Sequence, residues 1–391
     1  MTRALRVVVA PDKFKGTLAG PEAAAAMAAG VRQVVPDAVI EQVPLADGGE
    51  GTVQAVLAAG GTRHTCTGAG PLGDPVEAEF AVLDGHAGHA GHAGHAGGGA
   101  KRDATAVLEA AQICGLQLLD PTPATALSAS SGGVGDLVRA AWAAGAIRIV
   151  VGLGGVACTD GGTGLATALG AQFLDASGSP VRAGGGGLRD VASVHLDGLD
   201  PRIAQTTFVA ATDVTNPLLG PAGAAAVYAP QKGAGPAEVR TLERGLATVS
   251  GLVGGAAADQ PGAGAAGGLG WGLVTFLGAT IEPGGDLIMD LIGMEAAVAG
   301  ADLVITGEGK LDEQSRFGKG PVALATLAAR HQVPVIAVAG LVESVGADEL
   351  GFTSAWSLVG SVGAKAALSR PAQTLTDVTA RAVWAWLEDT S

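Results

Sequence analysis

The sequence predicts a two-domain α/β protein, and three observations support this fold class. Short apolar stretches alternate with helix-like segments near both ends of the chain, which is typical of a parallel sheet covered by helices. The chain has 391 residues, more than one typical domain contains. Its 64 glycines are spread between apolar runs, which indicates tight turns and close helix–strand packing rather than disorder.

The N-terminal segment is predicted to form a β-α-β-α unit. Leu5–Ala10 is a short apolar strand, Pro21–Val35 is an alanine-rich helix, and Ala38–Pro44 is a second strand. That strand leads into an acidic glycine loop, Ala46–Gly51, and a helix over Thr52–Ala59 follows. In open α/β sheets, ligands bind at such junctions of strand and helix.

The last third of the chain repeats this alternation. The predicted elements are strands at Asp302–Thr306, Pro334–Gly340 and Ala355–Val359, and helices at Pro321–His331 and Ala372–Leu387. A second acidic glycine loop, Gly307–Asp312, follows the first of these strands directly. Both ends of the chain are therefore expected to build one Rossmann-like domain with a parallel sheet.

The middle of the chain predicts a second, mixed α/β domain. Its expected elements are a hairpin of Val76–Leu83 with Thr105–Gln112, strands at Ile147–Leu153 and Phe208–Val214, and helical stretches that include Glu238–Val253 and Ala263–Leu277. A third acidic glycine loop, Thr159–Gly164, lies in this part. We predict a discontinuous domain over residues 1–72 plus 282–391, an inserted domain over 73–281, and an active site in the cleft between them.

Composition and charge exclude several classes of protein. The formal net charge is −14 without any basic block, which argues against binding to nucleic acid or to anionic membranes. Cys66, Cys114 and Cys158 show no CxxC pairing, which argues against a disulfide framework or a zinc site and fits a reducing cytosol.

The first residues do not resemble a signal peptide. Many glycines break the uncharged run Pro261–Ile281, which predicts a buried loop and helix. We expect a cytoplasmic protein.

A low-complexity repeat places four histidines at every third position from His86 to His95. Such a tract can bind a metal ion. The favoured interpretation is a repeat that lengthens a hairpin turn, because loop closure penalises extra residues little.

One glycine motif suggests a dehydrogenase. Gly152–Ala157 follows a predicted strand and fits a permissive form of the dinucleotide-binding fingerprint, with Asp175 near the place of a ribose-binding acid. The helix that should begin there is interrupted by Thr159–Gly162. No GxxxxGK[ST] segment or protein-kinase HRD or DFG set occurs either, so a phosphoryl-transfer site would need other groups.

Candidate groups for phosphoryl transfer lie mostly at the ends of predicted strands. They are Lys13, Lys15, Asp213, Lys232, Lys310 and Lys319. Phosphoryl transfer needs donors around the phosphates, a carboxylate for Mg²⁺, and a group that orients the attacking hydroxyl.

A run of motifs, taken together, resembles the bacterial glycerate kinase family. The motifs occur in the family's order, at Ala10–Gly16, Ala46–Thr52, Gly152–Gly155, Asp213–Leu218, Gly220–Pro221, Pro230–Ala234, Gly262–Gly270 and Ile305–Asp312. Three positions depart from the family pattern: Val156 replaces a serine, Ser130–Gly135 replaces a Gly-Thr-Gly segment, and Lys13 stands where serine is common.

The resemblance implies a kinase without a P-loop that transfers the γ-phosphoryl group of ATP to D-glycerate. The expected product is 2-phosphoglycerate. A kinase that forms 3-phosphoglycerate, or one that acts on a related small hydroxy acid, stays open. A dehydrogenase and a non-catalytic nucleotide or metal sensor are the alternatives from other classes. The chain would act as a monomer or a homodimer.

We hypothesise the following roles for the candidate residues. Backbone amides around Gly154 and Gly155, and around Gly264, Gly267 and Gly268, would hold the nucleotide phosphates. Lys232 or Lys319 would neutralise developing charge. Glu308 or Asp312, or both, would hold Mg²⁺. Asp47 or Asp213 would orient the glycerate hydroxyl, and Lys15 would bind the substrate carboxylate.

Overall fold

A computed structural model of the chain describes residues 3–85, 104–255, 257–312, 315, 320–343 and 346–390. These residues divide into two compact units. The first unit comprises the chain up to residue 47, residues 54–59 and the chain from residue 285, and the second comprises residues 48–53 and 60–284. Lys319 and the histidine repeat from His86 to His95 lie outside the described residues.

The first unit contains a parallel sheet of five strands. Its strands are β1 (Arg6–Pro11), β2 (Val39–Gln42), β11 (Leu303–Gly307), β13 (Val335–Ala339) and β15 (Ser354–Ser357). Their order across the sheet is β15–β13–β11–β1–β2. A separate short pair joins β12 (Lys310–Leu311) to β14 (Leu341–Val342) in parallel. The predicted parallel sheet built from both ends of the chain is thus confirmed.

Helices cover both faces of this sheet. They are α1 (Gly20–Val34), α10 (Gly284–Leu291), α11 (Met294–Ala299), α12 (Pro321–Arg330), α13 (Leu358–Val362), α14 (Ala364–Ser369) and α15 (Pro371–Thr390). Alternate residues of β1 point to opposite cores: Val7 packs in the cluster with α1 and α15, and Val8 packs in the cluster with α11 and α12. This is the alternation that a strand buried on both faces requires.

The second unit contains a mixed sheet of six strands. Its strands are β3 (Thr62–Ala69), β4 (Pro75–Leu83), β5 (Thr105–Glu109), β6 (Arg148–Gly152), β9 (Thr207–Ala211) and β10 (Thr280–Glu282), and a separate pair joins β7 (Gln172–Leu174) to β8 (Ser193–His195). Their order across the sheet is β10–β9–β6–β5–β4–β3. The strands from β5 to β10 in this sheet are parallel, whereas β3 and β4 are antiparallel neighbours.

The helices of the second unit lie between these strands in sequence. They are α3 (Ala110–Cys114), α4 (Pro123–Ser128), α5 (Gly132–Ala143), α6 (Thr163–Ala168), α7 (Ala224–Tyr228), α8 (Pro236–Leu252) and α9 (Ala265–Leu277). One further helix, α2 (Thr52–Ala58), contains the point at which the chain passes from the second unit back to the first. None of the helices that the structure describes has the length and apolarity needed to span a membrane.

Two features differ from the sequence prediction. Residues 62–69 form β3, which pairs with β4, so the sheet of the second unit begins well before residue 73. The side chains of this edge strand are mostly polar and none of its residues is fully buried, so a search for apolar runs does not find it. The predicted strand Thr105–Gln112 ends at Glu109, where α3 begins.

Candidate active site

Two carboxylates lie side by side at one edge of the sheet in the first unit. Pro11 and Gly307 are paired at the carboxyl ends of β1 and β11, and the next residues along the chain are Asp12 and Glu308. The Asp12 amide donates to the Gly307 carbonyl at 2.8 Å, which fixes this junction. The carboxyl ends of parallel strands are where α/β sheets bind ligands.

Glu308 has an unusual protonation equilibrium. Burial raises the pKa of Glu308 to about 7, the hydrogen bond from the Ser315 hydroxyl at 3.1 Å acts against this rise, and Asp12 and Asp312 add to it. Burial also raises the pKa of Asp12, although the Lys13 ammonium opposes the rise. The protein therefore concentrates negative charge here with incomplete compensation, a condition typical of functional sites.

Lysines lie at the rim of this acidic centre, by which we mean Asp12, Glu308 and Asp312. The Lys13 ammonium is 3.9 Å from Asp12 and 3.8 Å from Asp47, so it bridges the loops after β1 and β2. Lys310 contacts Asp312 at 3.1 Å and Glu343 at 2.9 Å. Lys15, predicted to bind the substrate carboxylate, lies exposed in the loop after β1. The structure thus brings Asp47, Glu308 and Asp312 into one unit with Lys15.

The donor set of the acidic centre suits a hard cation. Nowhere in the part of the chain that the structure describes do three His, Cys, Asp or Glu side chains converge as metal ligands. Mg²⁺ does not require such a set, because it usually binds through one or two carboxylates together with phosphate oxygens and water. Glu308 and Asp312, both carboxylates that interact electrostatically, meet that requirement.

The second unit holds the other predicted carboxylate, Asp213. It follows β9 closely, and its Oδ1 accepts a hydrogen bond from the Gly284 amide at 3.0 Å. The nearby Asn216 amide donates to the Ala222 carbonyl and accepts from the Tyr228 hydroxyl. Asp213 therefore lies at the carboxyl edge of its own sheet and fixes the backbone at Gly284, the last residue of the second unit.

The acidic glycine loop of the second unit is saturated with hydrogen bonds. Asp160 is fully buried and accepts from the Ser131 amide, the Ser131 hydroxyl, and the Gly162 and Gly164 amides, at 2.8 to 3.2 Å. A carboxylate with four donors has little capacity left for a ligand. The loop therefore has a structural role, because Asp160 links the start of α5, through Ser131, to the start of α6, through Gly162 and Gly164.

Lys232, predicted to neutralise phosphate charge, is buried in the same region. Its ammonium donates to the Cys158 carbonyl at 2.6 Å and lies 3.4 Å from the Thr159 hydroxyl. Burial lowers the pKa of Lys232, while the Cys158 and Cys114 thiols and the Asp160 carboxylate act against that shift. These internal contacts explain how the buried Lys232 ammonium is stabilised. A contact between Lys232 and phosphate stays a prediction.

The glycines predicted to hold phosphates fall into two groups. Gly264, Gly267 and Gly268 are buried against neighbouring backbone, and a Cβ at Gly267 would collide with the Cys158 carbonyl oxygen. Close backbone packing therefore explains these three. Gly154 is half-buried and its amide donates to the Gly48 carbonyl at 3.4 Å, whereas Gly155 is exposed, so the accessible backbone after β6 lies at Gly155.

A separate cavity of about 640 Å³ lies within the second unit. Its walls include Ser130, Thr163, Phe173 and Arg182, which come from α6, β7 and the segments around them. Among the described residues, none of those predicted to form the site lines it.

The sequence profile of the glycerate kinase family matches residues 7–387. The chain belongs to the glycerate kinase family. It is 41% identical over 342 residues to the glycerate kinase of Bacillus subtilis (strain 168), which covers 86% of this chain and 85% of that protein. It is 38% identical over 367 residues to the glycerate 2-kinase of Escherichia coli (strain K12), which covers 92% of both chains.

A solved structure matches over almost the whole length of this glycerate kinase family member. The protein of that crystal structure, provisionally named glycerate kinase 2, comes from Salmonella typhimurium LT2. The TM-score is 0.81 at 36% sequence identity, and the match covers 99% of both chains. The predicted family, the two-domain α/β fold class and the enzyme class, a kinase, are thus confirmed. The position of the active site between the domains stays a prediction.

Both the family membership and the local structure after β6 argue against the dehydrogenase alternative. A dinucleotide-binding fingerprint needs a helix that opens within the glycine motif. After β6 the chain remains non-helical until α6 begins at Thr163. Gly154 instead packs against another loop, because a Cβ there would lie 2.6 Å from the Gly49 Cα atom.

Three polar residues at or near the acidic glycine loops were not predicted from the sequence as part of the site. Asp12 follows β1 directly, and Ser315 donates to Glu308. Glu109 ends β5 and is buried. Asp12 had a usable signal, an acidic residue at the end of the first strand, whereas Glu109 was hidden inside a segment predicted to be strand.

Proposed function

We propose that this chain is an ATP-dependent glycerate kinase that phosphorylates D-glycerate at the 2-hydroxyl. The single observation that carries the proposal is the acidic centre in a member of the glycerate kinase family, where Asp12, Glu308 and Asp312 interact electrostatically at the carboxyl edge of a parallel sheet. The name of the Escherichia coli relative, a glycerate 2-kinase, supports the 2-phosphoglycerate product.

The residues of the acidic centre would hold Mg²⁺ through Glu308 or Asp312, or both. When bound, the ion would neutralise charge on the phosphate oxygens of ATP. A cation here would also relieve the repulsion that, together with burial, raises the pKa of Glu308 to about 7. Mg²⁺ would therefore displace the proton that Glu308 holds at lower pH.

The remaining roles concern the substrates. Asp47 or Asp213 would accept a hydrogen bond from the attacking hydroxyl, and neither needs to be a strong base, because phosphoryl transfer depends mainly on positioning and electrostatics. Lys15, an exposed cation, would bind the glycerate carboxylate. The accessible backbone at Gly155, together with the segment around Gly154, would contact the nucleotide phosphates, and Lys319 remains a candidate for neutralising their charge. Cytoplasmic location and a monomeric or homodimeric state stay predictions.

One assay tests this function. ADP release is coupled to a spectroscopic signal and measured with D-glycerate, L-glycerate, lactate and glycolate, each with ATP and Mg²⁺. We expect turnover with D-glycerate well above that with the other acids. The product is then identified by NMR, where a phosphate coupled to the proton at carbon 2 identifies 2-phosphoglycerate.

Two results would change the proposal. A phosphate on carbon 3 would keep the kinase and replace the product by 3-phosphoglycerate. If no ADP is released with D-glycerate but another hydroxy acid is turned over, that acid replaces D-glycerate as the proposed substrate.

A further inference from the structure

Glu109 is a buried carboxylate to which sequence reasoning gave no role. Only 4% of its surface is exposed, although it lies at the end of β5, where the chain turns into α3. A buried carboxylate costs free energy unless hydrogen bonds compensate it. The hydrogen-bond partners of Glu109 therefore indicate the role of this side chain.

The partners are backbone amides of the first acidic glycine loop. Glu109 Oε1 accepts from the Val53 amide at 2.6 Å, across 56 positions of sequence. The same carboxylate accepts from the Gly51 amide and from the Gln112 side chain. The Gln112 carbonyl is occupied by the Glu79 amide at 3.1 Å, which turns the amide nitrogen of Gln112 toward Glu109.

The rest of this loop is fixed by close backbone contacts in the second unit. The Gly154 amide donates to the Gly48 carbonyl at 3.4 Å. A Cβ at Gly48 would lie 2.8 Å from the Ala211 carbonyl oxygen. Residues 48–53 thus rest on the carboxyl ends of β5, β6 and β9, and Glu109 is the charged side chain that holds their far end.

The charge of Glu109 is partly opposed by its surroundings. Burial raises the pKa of Glu109, the hydrogen bonds from Val53, Gly51 and Gln112 lower it, and the Glu50 carboxylate raises it. A second acidic group is therefore held close to Glu109 within the loop. An apolar residue at position 109 would leave the two loop amides without acceptors in a buried place.

We propose that Glu109 is a positioning residue for phosphoryl transfer: by accepting the Gly51 and Val53 amides it fixes residues 48–53, which include Glu50 and directly follow Asp47 in the chain. This inference rests on the proposed glycerate kinase function. Glu109 acts through the loop and does not touch the reacting atoms. Its loss should lower turnover more than it weakens substrate binding, because misplacement of a catalytic group affects the reaction step.

The test compares Glu109→Ala and Glu109→Gln with a matched control, Glu77→Ala, an exposed glutamate on the adjacent strand β4. For Glu109→Ala we expect kcat to fall by about 10–100-fold, as for loss of a group that orients a site. The KM for ATP should change by less than about threefold. Glu109→Gln retains one carbonyl acceptor for the Val53 amide, so its turnover should be partly rescued. The control should match the parent.

Amide hydrogen exchange gives a second readout that does not depend on activity. Exchange of the amides at residues 51–53 should be faster in Glu109→Ala than in the parent, while peptides from β4 and β6 remain protected. The inference is overturned if folded Glu109→Ala keeps kcat within about twofold of the parent, or if kcat falls without faster exchange at 51–53.

If Glu109→Ala does not fold, Glu109→Gln decides the matter. A kcat equal to that of the parent then overturns the inference, and a selective loss of kcat supports it. Failure of the parent to release ADP with D-glycerate would refute the proposed function. The exchange measurement would still report whether Glu109 holds the loop.

Discussion

Two acidic glycine loops of similar sequence have opposite physical character. In the first unit, Glu308 follows β11 directly and is half-buried. Its partial burial raises its pKa to about 7, the hydrogen bond from Ser315 opposes this rise, and the neighbouring carboxylates Asp12 and Asp312 add to it. In the second unit, Asp160 is fully buried and accepts four hydrogen bonds from its own loop and from Ser131. The charge of Glu308 is therefore only partly compensated, whereas Asp160 has a full set of hydrogen-bond donors.

This difference separates a functional carboxylate from a structural one. A carboxylate that is destabilised in the folded protein gains from a bound cation, whereas one with a full set of donors gains little. The number and kind of donors, rather than the glycine pattern, therefore decide the role. We expect changes at Glu308 to affect turnover and changes at Asp160 to affect folding.

The largest expected effect is on turnover, from Glu308→Gln. Removal of this carboxylate should lower kcat by roughly 10²–10³-fold, as observed when one electrostatic group is removed from a reaction centre. The matched control is Glu295→Gln, an exposed glutamate of the same unit. Initial rates of ADP release with saturating D-glycerate measure the effect. A Glu308→Gln enzyme within a few-fold of the control would place the metal elsewhere.

The next effect compares one carboxylate of each unit, Asp47 and Asp213. The variant that removes the hydroxyl-orienting group should lose about 10²-fold in kcat with little change in the KM for ATP. Asp213→Asn can still accept the bond from Gly284, so its fold should be kept. Steady-state kinetics of both variants assign the role. If both retain turnover close to that of the parent, neither group orients the hydroxyl.

Asp160→Asn should affect stability instead. An amide nitrogen would replace one oxygen that now accepts a hydrogen bond, which should cost about 1–3 kcal/mol in the free energy of unfolding. The kcat of the folded variant should stay close to that of the parent. Asp190→Asn, an exposed carboxylate of the same unit, serves as the control in thermal and urea unfolding. A normal stability combined with a large loss of kcat would reverse the assignment of the two loops.

The smallest effect is a pH dependence of stability. The folded-state pKa of Glu308, about 7, lies above its usual value of 4.5, so the folded protein holds this proton more tightly. Its contribution to stability is complete below pH 4.5 and is lost as the pH rises to about 7. Glu308→Gln should therefore unfold at a higher Tm than the parent above pH 7, by about 2–4 °C for each kcal/mol relieved. An equal Tm at pH 8 would mean that Glu308 is already compensated.

The sequence predicted the frame of the molecule well, because apolar strands and alanine-rich helices leave a periodic pattern that does not depend on distant contacts. It placed Glu308 after β11 for the same reason. The state of each polar group could not be read in this way. Lys232 looks like a surface cation beside a glycine, yet its ammonium is buried against the Cys158 carbonyl.

Long-range contacts explain the other omissions. Glu109 meets its partner Val53 across 56 positions, and no local pattern shows that pairing. The strand β3 is an edge strand of mostly polar residues, so it lacks the apolar signal of the central strands. Asp160 resembles Glu308 in sequence but differs in its donors, which come partly from Ser131, 29 positions away.

The most direct test of the acidic centre is metal binding itself. Mn²⁺, a paramagnetic substitute for Mg²⁺, is titrated into the parent, Glu308→Gln and Asp160→Asn in the presence of a non-hydrolysable ATP analogue, and free Mn²⁺ is followed by electron paramagnetic resonance. We predict that the parent and Asp160→Asn bind the ion alike and that Glu308→Gln binds it at least about tenfold more weakly. Equal binding by the parent and Glu308→Gln, with loss in Asp160→Asn, would contradict the account.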